Sequence, residues 1–205
     1  MGKTGKPLFE SPSQTAGPYV HIGFMPNAAG IQAVYPEDPG KCMVNANTRG
    51  ERIRILGHIY DGEGVALTDA VVEIWQADAA GLFPSPGETG GQADAEFNGW
   101  GRQACDPQSG EFVFDTIKPG RVAYPDGRAQ APHITLWIVA RGINVGLHTR
   151  LYFDDEAQAN AADPVLAQVE PAERVETLIA RREQDDCYRF EIYLQGANET
   201  VFFDI

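Results

Sequence analysis

A chain of 205 residues with 43% hydrophobic and 22% charged side chains can bury a full core and has the composition of one soluble globular domain. Its 29 acidic residues against 16 basic ones leave a net charge of −13, which argues against nucleic acid or an anionic membrane surface as partner. Cys42, Cys105 and Cys187 stand far apart with no CxxC pair, against both a zinc ribbon and a secreted disulfide framework. No apolar run reaches signal-peptide or membrane-span length, so the expected compartment is the cytoplasm.

Residues 1–50 are rich in Pro, Gly and Asn with little periodicity and read as an extended N-terminal arm, leaving 51–205 as a single domain. From Glu51 the pattern changes. Arg52–Ile55 and Gly57–Tyr60 alternate, and Asp61-Gly62-Glu63-Gly64 supplies a hairpin turn. VVEIWQAD (71–78) reads as a strand, the Pro- and Gly-rich stretch 84–101 as a long irregular loop, and EFVFDTI (111–117) as a strand stopped by Lys118-Pro119-Gly120. HITLWIVA (133–140) puts His133, Thr135, Trp137 and Val139 on one face and Ile134, Leu136, Ile138 and Ala140 on the other. HTRLYFD (148–154) follows as a strand. Helical starts stand at Asp163-Pro164 and again at Pro171-Ala172-Glu173 before RVETLIARRE. Tyr188 to Gln195 alternates most cleanly of all, and TVFFD (200–204) reads as a last strand. The expected fold is mostly β, an antiparallel β-sandwich with an extended N-terminal arm and a short helical insertion before the last strands.

No local motif announces a reaction. His21, His58, His133 and His148 never stand at i, i+2 or i, i+4, so each alone reads as a hydrogen-bonded structural histidine. A GxSxG elbow, a P-loop and a GxGxxG are absent. Asp154-Asp155-Glu156 reads as a solvated or capping carboxylate run at a strand end, and Cys105, near Arg102, as a spectator thiol.

Four segments taken together carry a resemblance: PSQTAGPYVHIGF (12–24), GEGVALTDAVVEIWQADAAGLF (62–83), EFVFDTIKPG (111–120) and APHITLWIVARGINVGLHTRLYFDDE (131–156). Their order and spacing are similar to those of the intradiol ring-cleaving dioxygenases over nearly the whole chain. That family implies a β-sandwich, a non-haem ferric iron held by two tyrosinates and two histidines, and insertion of O2 between the hydroxyl-bearing carbons of a catechol.

The ligand positions implied by the resemblance are poorly filled. The first tyrosine position is Phe83 and the second is Val122, with Tyr124 reaching it only in a shifted alignment. The family's His-x-His reads His133-Ile134-Thr135, and its catalytic arginine position is Gln130. A threonine hydroxyl is a poor substitute for imidazole on ferric iron. The resemblance therefore implies an iron-free subunit, with no catalytic residue and no metal of its own. It would support cleavage of 3,4-dihydroxybenzoate with O2 at an Fe(III) bound by a homologous β subunit, as a hetero-oligomer of aromatic catabolism.

In that setting Thr15, Gly17, Pro18 and Tyr19 match a stretch that lines the mouth of the partner's site, and Arg141 matches an arginine of its substrate-binding region. Arg141 closes the strand that His133 opens, on the order of 25 Å away. The bland readings are a turn that fixes the arm and an exposed strand-end arginine. Two rivals stand beside this reading: a stand-alone dioxygenase using Tyr124, His133 and His148, and a non-enzymatic transthyretin-like binding module.

Overall fold

The computed structural model describes residues 12, 14–144, 146–184 and 186–204. One short helix, α1 (Val20–Phe24), lies in the arm. The strands follow as β1 (Arg52–Gly57), β2 (Ile59–Tyr60), β3 (Val71–Trp75), β4 (Trp100–Ala104), β5 (Phe112–Ile117), β6 (Val122–Ala123), β7 (Ala129–Gln130), β8 (His133–Val139) and β9 (Leu147–Phe153). After helix α2 (Ala157–Ala161) come β10 (Ile179–Gln184), β11 (Cys187–Arg189) and β12 (Ile192–Tyr193). Eight of these form one sheet in the order β4-β3-β8-β9-β10-β11-β1-β5, curled until it is nearly closed.

The mostly β class expected from the sequence is what the chain adopts, and the pairings add detail. Within the large sheet β1 runs parallel to β11 and β9 parallel to β10, while the other neighbours are antiparallel. Alternation drives the packing. In β8 the side chains of Ile134, Leu136 and Ile138 turn into the core with those of Ile53, Ile55, Val72, Ile74, Phe112 and Phe114, and Thr135, Trp137 and Val139 face outward half-buried. The core also takes in Met43 from the arm. Gly40 O accepts from Arg102 N and Thr48 Oγ1 donates to Glu96 O, so the arm is fastened to its own domain.

Several expected elements differ. The loop expected over 84–101 ends in β4, whose alternation is hidden because its inward position is Gly101, with Met43 lying over it. The helical reading of RVETLIARRE is half wrong. Residues 172–178 form a 3-10 turn, but Ile179–Gln184 is a strand wedged between β9 and β11. The single strand expected over 188–195 splits into β11 and β12 as the chain leaves the large sheet to pair with β2. TVFFD makes no strand; Phe203 only bridges to His148. Asp163 does start a helical turn, its Oδ1 accepting from Val165 N and Leu166 N, but the turn spans only Leu166–Gln168.

Asp155 is no solvated strand end. It takes Lys118 Nζ at 2.8 Å, Tyr188 OH at 2.9 Å and Arg182 Nη1 at 3.2 Å, with Glu156 3.0 Å from the same lysine. Burial pushes the Asp155 carboxyl up, but the hydrogen bonds from Lys118 and Tyr188 outweigh it and hold it below the usual range. Lys118 runs along the rings of Phe153 and Tyr188 to reach this carboxylate. The cluster ties the end of β5 to β9, β10 and β11.

Candidate functional site

The positions that the resemblance assigns to iron do converge. Strand register sets Trp75 beside Thr135 and Thr135 beside Arg150, and sets His133 beside Tyr152, all on the outward face of the sheet. Phe83 stacks on Trp75 with ring centroids 5.9 Å apart, and Val122 pairs with Gln130 in the small β6–β7 ribbon. What fills the spot is unsuited to a ferric ion. Phe83 and Val122 offer no donor atom. His133 is 4% exposed, and its Nδ1 is 2.8 Å from Ala131 O, which makes Nδ1 the donor. Tyr124 sits at the hairpin tip, its backbone N–H bonded to Arg128 O and its ring under the Arg128 guanidinium.

Arg150 is the residue that sequence reasoning missed here. Its Nη1 donates to Gln130 Oε1 at 2.9 Å and to Tyr152 OH at 3.3 Å, which sets a cation between these two side chains on the strand position opposite Thr135. A guanidinium disfavours a second cation placed beside it. The signal was present only in the pairing: Arg150 lies directly opposite Thr135, which no local pattern reveals. Among the described residues no group of three or more His, Cys, Asp or Glu side chains is arranged to hold a metal.

Burial, reinforced by the Arg150 charge, drives the pKa of His133 from 6.5 down to about 4. Asp163 and the Ala131 carbonyl pull weakly the other way, and Tyr152, packed on the ring, is itself pushed up to about 12 by burial. The imidazole is neutral at physiological pH. A base whose folded pKa lies below its unfolded value binds fewer protons when folded, so stability is complete above about pH 6.5. It falls as pH drops toward 4, by about 3 kcal/mol in full. Urea denaturation at pH 7.5, 5.5 and 4.5 should show this fall, and His133→Gln should flatten it. An equal fall in the variant would assign the acid sensitivity to carboxylates instead.

The other histidines are structural or orphaned. His58 Nδ1 lies 3.2 Å from Glu191, whereas Nδ1 of His21 and of His148 is buried without a hydrogen-bond partner among the described residues. All three cysteines are free thiols. Burial pushes the Cys105 thiol up to about 12, which makes it inert at neutral pH, as its spectator reading requires.

The second group of candidate residues also comes together. Ala16 pairs with Arg141 in a parallel bridge, and Thr15 Oγ1 donates to Ile143 O at 3.0 Å, so the arm's Thr15-Ala16-Gly17-Pro18-Tyr19 runs beside Arg141-Gly142-Ile143. The turn closes where Gly17 O accepts from Val20 N, and α1 starts at Val20 with Tyr19 at its N-cap position. Gly17, Tyr19, Val20, Gly23 and Phe24 line an open depression of about 410 Å³. The Tyr19 ring stands 74% exposed beside it. Behind it Phe24 meets Trp137 edge to face at 6.5 Å and lies under the Arg102 guanidinium, itself paired with Glu73. Arg141 stands two residues past β8, at the end opposite His133, and pairs through Nε with Asp69 Oδ2 at 3.0 Å. Asp69 was also missed. It precedes a strand in a stretch whose sequence offers no hint of an ion pair. The geometry is an exposed depression with the Tyr19 and Phe24 rings in its lining and the Arg141 segment bridged to the chain that enters it.

Similarity to known proteins extends over nearly the whole chain. Residues 30–196 match a family model described as Dioxygenase. The protocatechuate 3,4-dioxygenase alpha chain of Pseudomonas putida is 48% identical over 200 residues, covering 96% of this chain and 97% of that one. The corresponding alpha chain of Burkholderia cepacia is 42% identical over 204 residues, covering 97% and 98%. The beta chain of the same enzyme from Burkholderia cepacia is 33% identical over 168 residues, covering 76% and 69%.

Proposed function

Because the chain belongs to the intradiol dioxygenase family, we propose that it is the iron-free alpha-type subunit of a protocatechuate 3,4-dioxygenase. In that role it supports O2-dependent cleavage of 3,4-dihydroxybenzoate to 3-carboxy-cis,cis-muconate at an Fe(III) held by a beta subunit. The observation that carries the reading is the content of the family's iron position: Phe83, Val122 and Thr135 around a buried neutral His133, with the Arg150 guanidinium among them. The relatives support it too, since two alpha chains match nearly end to end, and the beta chain matches less of this chain at lower identity.

The subunit works by shaping the site of another chain. The iron supplies the binding of the catechol oxygens and the reaction with O2. This chain supplies a wall. Thr15, Gly17, Pro18 and Tyr19 form the mouth, stiffened by the Ala16–Arg141 bridge and the Thr15–Ile143 hydrogen bond. Arg141 offers a guanidinium to the carboxylate that distinguishes 3,4-dihydroxybenzoate from catechol. Residues 1–50, of which 1–11 and 13 lie outside the described residues, are assigned here as the arm that meets the partner, and 51–205 as the domain that carries it. The compartment proposed with this role is the cytoplasm; among the described residues no helix is long and apolar enough to cross a membrane.

Metal analysis of the purified chain, alone and after co-expression with a homologous iron-bearing chain, tests the reading. Alone it should hold no stoichiometric iron, show no tyrosinate-to-iron charge-transfer colour and turn over neither 3,4-dihydroxybenzoate nor catechol. Co-expressed, it should co-purify as a coloured, active complex. One tightly held iron per isolated chain, with turnover, would establish a stand-alone dioxygenase in its place. Failure to associate with any such chain would leave a binding module.

A further inference from the structure

Arg141 is held from behind. Its Nε lies 3.0 Å from Asp69 Oδ2, and the two side chains differ sharply in exposure, 62% for the arginine against 12% for the aspartate. The carboxylate is anchored in rigid surroundings: Ala70 and Val71, next in the chain, are fully buried, and the Ala70 carbonyl accepts from Cys105 N. The arginine is fixed at its backbone by the bridge to Ala16. The closest contact is at Nε, on the side edge of the guanidinium, and the end-on edge formed by the two terminal nitrogens is a separate hydrogen-bonding face.

The other aspartate oxygen, Oδ1, is buried and accepts no hydrogen bond among the described residues. A carboxylate kept half-satisfied below the surface is a cost to folding, and such costs persist where a group serves another purpose. A surface arginine kept only for solubility needs no such support. One meant to receive a planar carboxylate gains from it, because a guanidinium already held in one rotamer loses less entropy on forming a bidentate pair.

We propose that Asp69 is a positioning residue for substrate recognition: it holds the Arg141 guanidinium by its Nε side and presents the terminal nitrogens, preoriented, to the carboxylate of the aromatic acid in the partner's site. This rests on the assignment of Arg141 given above. Two effects of Asp69 oppose each other. Its charge weakens the attraction of Arg141 for an anion, and its grip removes the arginine's freedom; positioning is the larger of the two.

The test is steady-state kinetics on the assembled iron-bearing complex, with Asp69→Asn, Asp69→Glu, Arg141→Ala and the Asp69→Asn/Arg141→Ala double variant. Iron content and elution volume serve as controls for assembly. Asp69→Asn should raise KM for 3,4-dihydroxybenzoate about three- to tenfold with kcat within about twofold. Asp69→Glu, which keeps the charge at a longer reach, should recover part of that. In the double variant the KM should be no higher than that of Arg141→Ala alone, since Asp69→Asn then removes an uncompensated charge and has nothing left to hold. An unchanged or lowered KM in Asp69→Asn overturns the proposal, because charge neutralisation would then dominate. So does the same fold-change in both backgrounds, which would place the effect in the fold. If Arg141→Ala itself leaves KM unaltered, the assignment of Arg141 falls, and the role of Asp69 with it. If Arg141→Ala acts and Asp69→Asn does not, only the role of Asp69 falls.

Discussion

Gly57→Ala is expected to prevent the chain from folding. A Cβ at residue 57 would sit 1.8 Å from the carbonyl oxygen of Phe190 and 2.7 Å from its carbon, with the Phe112 ring at 3.1 Å. The obstacle is backbone, which has no rotamer to retreat into. Leu56 O accepts from Phe190 N and His58 O accepts from Ile192 N on either side of the contact, so moving Phe190 away pulls both hydrogen bonds apart. The strain falls where the chain passes from the large sheet to the β2–β12 pair. A cost above about 4 kcal/mol approaches the whole stability of a typical domain. Soluble yield and thermal unfolding by circular dichroism measure it. Gly23→Ala is the control, because its Cβ meets nothing within 4 Å and should change stability by no more than about 1 kcal/mol. A Gly57→Ala variant that folds with an ordinary melting temperature would refute the close approach.

What made the sheet readable in the sequence was alternation with a buried partner. Ile134, Leu136 and Ile138 announce an inward face, and the structure buries all three. Residues Tyr188, Phe190 and Ile192 do the same, even though the strand they mark is split in two. Alternation fails where one of the two faces lacks a side chain or lacks a neighbour. In β4 the inward residue is Gly101, and the apolar contact comes from Met43, remote in sequence. In β10 only Ala180 is buried, and Arg181, Arg182, Glu183 and Gln184 stand exposed. The strand exists because β9 and β11 supply hydrogen bonds on both sides, so pairing overrides the helical preference of Arg and Glu.

The site divides along the same line. That Phe83, Val122 and Thr135 stand at the positions resembling iron ligands is a matter of residue identity, and sequence is enough for that. The two charges that complete the picture are matters of pairing. Arg150 reaches the would-be metal position because β9 lies antiparallel beside β8 in one register, and a slip of one residue would turn it to the core. Asp69 reaches Arg141 because β3 and β8 are neighbours, which sets the residues before one strand against those after the other. The meeting of Thr15 and Ala16 with Arg141 and Ile143 spans 128 residues between the hydrogen-bonded pair, and no local pattern encodes it.

Arg141→Ala, in the assembled enzyme, should raise KM for 3,4-dihydroxybenzoate by about 30-fold, equivalent to about 2 kcal/mol. The size follows from where the arginine sits. At 62% exposed in the isolated chain it is worth little to this fold, as surface ion pairs are. Covered by a partner chain, the same guanidinium loses water, and a carboxylate opposite it becomes a strong attachment. Its removal does a second thing. Asp69, whose Oδ1 already accepts no hydrogen bond among the described residues, loses its ion pair, and its charge then faces the substrate's carboxylate across the gap. Both effects act on binding and neither touches the iron, so kcat and iron content should stay near those of the parent enzyme. Catechol, which has no carboxylate, separates recognition from assembly. Its KM should change by less than about twofold, because neither the lost attraction nor the exposed aspartate has a charge to act on. A comparable rise with both substrates would make Arg141 a residue of the subunit contact. No change with either would return it to the surface of its own domain, where its pair with Asp69 contributes under about 1 kcal/mol.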